Sequence, residues 1–137
     1  MLGKLSQEVR VSLSFSAPAP QRARHSHVLP DPTDRTCQLA RDVAGAMLAV
    51  PAEDLARAER SRKQVCEARH VGMYIAHVVF QLPFRAVAEG FHRHRSTVSY
   101  AVRQIEERRD DGRFDELLTL HERRAEALRD QMAGASA

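Results

Sequence analysis

A chain of 137 residues with 43% hydrophobic side chains has room for one core and some tail. With aromatics at 5% and no Trp, that core must rest on Leu, Val, Ala and Met with a few Phe. The net charge of +3 permits a nucleic-acid partner without requiring one, the lack of any apolar run of about 18 residues excludes a membrane-spanning helix, and the absence of GxxxxGK[ST] and GxGxxG motifs argues against a nucleotide site.

Residues 1–32 read as a flexible arm. Val9, Val11, Leu13 and Phe15 alternate with polar residues as in a strand, but nothing nearby offers a pairing partner. Pro18, Pro20, Pro30 and Pro32 follow, interleaved with Arg22, Arg24, His25 and His27, a composition too polar to order itself. Val11-Ser12-Leu13-Ser14-Phe15 is too short and polar for a signal-peptide core. Cys37 and Cys66 form no CxxC pair and are expected to be free thiols in a reducing compartment, which points to a cytoplasmic protein.

A folded region over residues 33–130 is expected to be all-α, with about six helices and no convincing strand, ahead of a frayed tail over 131–137. Asp34 is the expected N-cap of a first helix whose apolar periodicity runs through Leu39, Val43, Ala46, Met47 and Val50. Pro51-Ala-Glu-Asp-Leu opens a short second helix over 51–57, with proline at N1 and acids in the first turn. Arg57, Arg60, Arg62 and Lys63 then form a basic loop without hydrophobic period.

The third helix is expected from Ala68 to Phe80, apolar on most sides and therefore central. His70 and His77 lie off its main stripe as boundary residues. Phe84, Val87, Ala88 and Phe91 mark a short helix, with Gly90 placed to stop it in the left-handed conformation. After His92-Arg93-His94-Arg95 comes a second stripe at Val98, Ala101, Val102 and Ile105, while Arg95, Ser96, Ser99, Tyr100 and Arg103 share the opposite face. A short helix, a tight turn and a helix with a basic, hydrogen-bonding outer face make the layout of a helix-turn-helix. Asp110-Asp111-Gly112 ends that helix, and Asp111 caps a last one carrying Phe114, Leu117, Leu118, His121, Ala125 and Leu128.

Four stretches carry a family resemblance: Arg69-His-Val-Gly-Met-Tyr-Ile-Ala, Val87-Ala-Glu-Gly-Phe, Arg93-His-Arg-Ser-Thr-Val-Ser-Tyr-Ala, and Ile105-Glu. In order, spacing and helix phase they resemble the C-terminal DNA-binding domain, domain IV, of the bacterial replication initiator DnaA, whose pattern is approximately ARQIAMYL followed by IGxxFGxRDHTTVLHA. The similarity spans residues 34–124. It is nearest to stand-alone proteins of the alphaproteobacterial type that keep this domain without the ATPase. The resemblance implies a Trp-repressor-like arrangement and double-stranded DNA as partner. It assigns base contacts to Arg69 in the minor groove and to His94, Arg95, Ser96 and Thr97 in the major groove. Phosphate contacts fall to Arg60, Arg62 and Lys63 of the basic loop and to Arg93, Ser99, Tyr100 and Arg103 around the recognition helix.

The turn departs from the family. It is one residue shorter, His92 stands where the family has glycine, and His94-Arg95 replace Asp-His. An Asp accepts a hydrogen bond from cytosine N4, which protonated His94 does not, whereas Arg95 suits guanine O6 and N7. A target other than the initiator's own nine-base box is therefore expected. The leading expectation is a sequence-specific DNA-binding protein acting in replication initiation or transcription. The alternative is an interaction module directed at the initiator, its ATPase-like regulator or the sliding clamp. No catalytic arrangement stands out, and His92 and His94 lack a third metal ligand. Neither enzymatic activity nor a cofactor is expected.

Overall fold

The structure of the chain, a computed structural model, describes residues 31–56 and 63–136. The arm with its strand-like alternation lies outside the described residues, as do Arg57, Arg60 and Arg62 of the basic loop. Six helices are present among the described residues: α1 (Pro32–Leu48), α2 (Ala52–Ala56), α3 (Lys63–Val78), α4 (Phe84–Phe91), α5 (Arg95–Arg108) and α6 (Gly112–Ser136). No strand occurs among them, as the periodicity predicts.

The α1 cap lies upstream of its expected position. Asp31, not Asp34, is the N-cap; its carboxylate accepts from Thr33 N at 3.4 Å, and Pro32 begins the helix. Asp34 instead sits in the first turn, where its charge meets the positive end of the helix dipole. Cys37, Ala40, Val43, Ala44 and Met47 face the core, whereas Ala46, expected on that stripe, is exposed. Ala49 in the left-handed conformation, at φ 57°, closes the helix, and Pro51 precedes α2.

Helix α3 starts five residues before the expected Ala68 and ends two before Phe80. It is the central element, packed on α1, α2, α4 and α5. Val65, Ala68 and every residue from Val71 to Ala76 are buried, so only one edge sees solvent. Its end is set by Gln81 at φ 60°, with Leu82 N donating to Ala76 O at 3.1 Å. His77 closes that corner through Nδ1 on the Leu82 carbonyl at 2.8 Å and a stacked contact with Phe84.

Gly90 has a different role from the one its position implies. It is helical, and the left-handed residue that stops α4 is His92 at φ 55°. A Cβ at Gly90 would overlap Cys37 Sγ and lie 2.9 Å from Cys37 Cβ, so the glycine lets α4 approach α1. His92 takes the backbone conformation for which a glycine is the usual choice.

Helix α6 runs through Ser136, where the sequence pattern placed a frayed tail from 131. Asp111 caps it as expected, accepting from Arg113 N at 3.1 Å. Phe114, Leu118, His121 and Ala125 are buried; Leu117, expected on that stripe, is exposed. α6 packs back on α1, and Arg129 donates to the Val79 carbonyl at 3.0 Å. A single core thus extends from Cys37 in α1 to Ala125 in α6.

Candidate nucleic-acid interface

Helices α4 and α5 meet across the three-residue turn His92-Arg93-His94. The turn is tied backward: Arg93 N donates to Ala88 O at 3.0 Å and His92 N to Glu89 O at 3.3 Å. Those bonds satisfy carbonyls that a helix end leaves without partners, so the turn is built into α4 and does not hang from it. His94 is the N-cap of α5 in extended conformation, and no side chain caps the helix. Thr97 N and Val98 N donate to the His94 carbonyl at 3.0 and 3.1 Å, and the start of α5 keeps the positive pole of its dipole without a side-chain acceptor, an arrangement that attracts anions.

The inner stripe of α5, Val98, Ala101, Val102 and Ile105, is buried against α3 and α4. That fixes the outer face. Arg95, Ser96, Tyr100 and Arg103 are exposed there, and Thr97 and Ser99 half-buried. Tyr100 is 52% exposed, unusual for an aromatic side chain, and leans edge-on against His70 with centroids 6.0 Å apart. His94 is exposed and Arg93 half-buried in the turn, and Lys63 is exposed at the first residue of α3.

Arg69 is positioned unlike the others. It lies in the second turn of α3, not at the helix start, and is buried, with Nε donating to the Leu55 carbonyl at 3.3 Å. Burial lowers its pKa below the usual arginine value, and the charge of Arg93 adds to the effect, while Cys66 opposes it. Arg69 and the turn are thus close enough for their charges to repel. His70 is likewise held below its ordinary value, by burial first and by Arg69 second, so it favours the neutral form.

The structure also adds residues that periodicity did not single out. An open recess of about 230 Å³ lies between α3 and α5, with Lys63, His70, Gln104 and Arg108 among its lining. Arg108 reaches Glu67 at 3.8 Å and lies over the Phe114 ring at 4.0 Å. Beyond α5, Arg109 binds four partners: Asp115 at 2.6 Å, Tyr74 Oη at 2.8 Å, Glu122 at 3.0 Å and Thr119 at 3.1 Å. Burial would lower its pKa, but the bonds to Asp115 and Tyr74 hold it well above the ordinary range. Only spatial packing brings these groups together; no sequence spacing marks them.

A short helix, a tight turn and a second helix buried on one side and cationic on the other define a helix-turn-helix domain, a DNA-binding class. Residues 38–105 match the family model described as the bacterial DnaA protein helix-turn-helix, and they belong to that family. Two solved structures share the fold at 20% identity: a DNA replication initiation factor, with a TM-score of 0.62, and the replication initiator DnaA bound to AMPPCP and single-stranded DNA, with a TM-score of 0.61. Each alignment covers 92% of this chain and 37% of the other, so the chain spans just over a third of either relative. No curated protein sequence matches. Among the described residues no helix is long and apolar enough to cross a membrane.

Proposed function

We propose that this protein binds double-stranded DNA sequence-specifically by docking α5 in the major groove, and so regulates replication initiation or transcription. The observation that carries the reading is the outer face of α5, where Arg95, Ser96, Tyr100 and Arg103 are exposed beside an uncapped helix start. His94, Arg95, Ser96 and Thr97 would read base edges. Arg60, Arg62, Lys63, Arg93, Ser99, Tyr100 and Arg103 would hold the phosphates. Arg69 would enter the adjacent minor groove, exchanging the Leu55 carbonyl for a base edge. His94 in place of the accepting Asp, with Arg95 beside it suited to guanine, shifts the target away from the initiator's box.

The test is an anisotropy titration of the full chain against a random duplex pool, then against the duplexes it enriches. Five of the proposed phosphate contacts are cationic, so the salt slope should be about −4 to −5, a loss on the order of 10²–10³ in affinity between roughly 50 and 200 mM salt. Absence of binding at low salt, or binding indifferent to salt, would sink the reading.

Arg69 favours one second reading. Its bond to Leu55 O withdraws the implied minor-groove reader into the core, as fits a domain that kept its shape and acts on the initiator, its ATPase-like regulator or the clamp. Pull-down of replication proteins from nuclease-treated lysate separates the two, because an association bridged by DNA vanishes there.

A further inference from the structure

The most unusual buried group lies outside the DNA-facing surface. Arg41, in the middle of α1, is 8% exposed, and among the described residues no carboxylate pairs with it. Its Nη1 donates to the Gly90 carbonyl at 2.9 Å, 49 residues away in sequence, and its guanidinium lies 5.0 Å from the centre of the Phe91 ring. Nη2 donates to Gln38 Oε1 at 3.2 Å, while Nε is buried without a hydrogen-bond partner. Burying a cation with one N–H unsatisfied costs stability, and an apolar side chain of similar volume would pack there more cheaply. The contacts Arg41 makes point to its role.

Both anchors are the residues immediately before the turn. Gly90 supplies one of the carbonyls that the end of α4 leaves open; its neighbours Ala88 O and Glu89 O are taken by the turn's own N–H groups. A cation at this end also meets the negative pole of α4. Beside it Cys37 of α1 fills the space a Cβ at Gly90 would need. Helix α1 therefore grips the last turn of α4 at two adjacent points, and His92 leaves that grip in the left-handed conformation that aims His94 and Arg95 outward.

We infer that Arg41 is a positioning residue for base reading: through the Gly90 carbonyl and the Phe91 ring it sets the direction in which the turn presents His94 and Arg95, without touching DNA itself. This rests on the DNA-binding reading above. Phosphate contacts tolerate small displacements, whereas a bidentate base contact does not. A loosened turn should therefore lose discrimination before it loses general affinity.

The experiment uses the full chain with Arg41→Met, Arg41→Lys and, as a control, Gln38→Ala, which removes a neighbouring contact and leaves the Gly90 bond. Helicity and thermal unfolding establish that each is folded at the assay temperature. Affinities are then measured for the duplex enriched by the wild type and for a scrambled duplex of the same length. Arg41→Met should weaken the enriched duplex roughly 2- to 30-fold and leave the scrambled duplex and the salt slope unchanged. Arg41→Lys, which keeps a donor near Gly90 O, should fall between, and Gln38→Ala should match the wild type. Equal loss on both duplexes, or no loss, in a folded Arg41 variant overturns the inference and leaves DNA binding standing. Should Arg41→Met not fold, Arg41→Lys decides by the same criterion. A wild type that enriches no duplex overturns the DNA reading itself.

Discussion

Arg95 and Lys63 look alike in charge but differ in placement, and the difference predicts different losses. Arg95 begins α5 at the turn and is the proposed base reader, whereas Lys63 begins α3 and is a proposed phosphate contact. Arg95→Ala should relax preference at one position by about 1–3 kcal/mol, and Lys63→Ala should weaken all duplexes alike and reduce the salt slope by about one. Competitive titration with enriched and scrambled duplexes reads both. Gly90 makes a prediction about stability. Gly90→Ala forces a Cβ against Cys37 and should destabilise the fold by roughly 1–3 kcal/mol, because two backbones would have to separate. Adding Cys37→Ala removes the sulfur but keeps the Cβ at 2.9 Å, so urea denaturation should show part of the loss recovered.

At the scale of elements, α5 is fixed at both ends by neighbours that do not face the proposed DNA surface. Its start is reached through the α1–α4 grip, and its end through Arg109, which ties the α5–α6 junction to Tyr74 of the central helix and to Asp115, Thr119 and Glu122 of α6. The Arg109 side chain is 27% exposed, so its ion pairs are partly screened, and geometry matters more than their number. Arg109→Met should destabilise the protein by roughly 2 kcal/mol through the loss of several charge-assisted bonds at once. Thermal unfolding measures that cost, and the scrambled-duplex affinity of the folded fraction should not change.

Over the whole molecule, pH bounds the stable range from both sides. Burial, followed by the charge of Arg124, lowers the pKa of His121, and burial followed by Arg69 lowers that of His70. The unfolded chain then holds protons on these rings at higher pH than the fold does, so stability is lost as pH falls through the ordinary histidine value of 6.5 and continues to fall until the folded values are passed. On the alkaline side, burial raises the Cys37 thiol from 9.0 to about 11, so stability declines as pH rises between these values. Melting temperature against pH should show a plateau with both flanks. His121→Gln should flatten the acid flank, and Cys37→Ala the alkaline one.

The apolar spacing at Val98, Ala101, Val102 and Ile105 determined α5, its inner stripe and hence its outer face, because a helix of fixed period leaves no choice once one side is buried. The same spacing located the central helix and its approximate limits. Helix ends were less legible: Asp31, Ala49 and Gln81 act through caps and left-handed backbone that no periodicity encodes. Tertiary structure alone decided three things. It buried Arg69 against Leu55, turned Gly90 from a helix stop into a close-approach point, and joined Arg41 to the end of α4 across 49 residues. Each depends on which helices come to lie side by side, and a one-dimensional pattern holds the face that a helix buries but not the neighbour it meets.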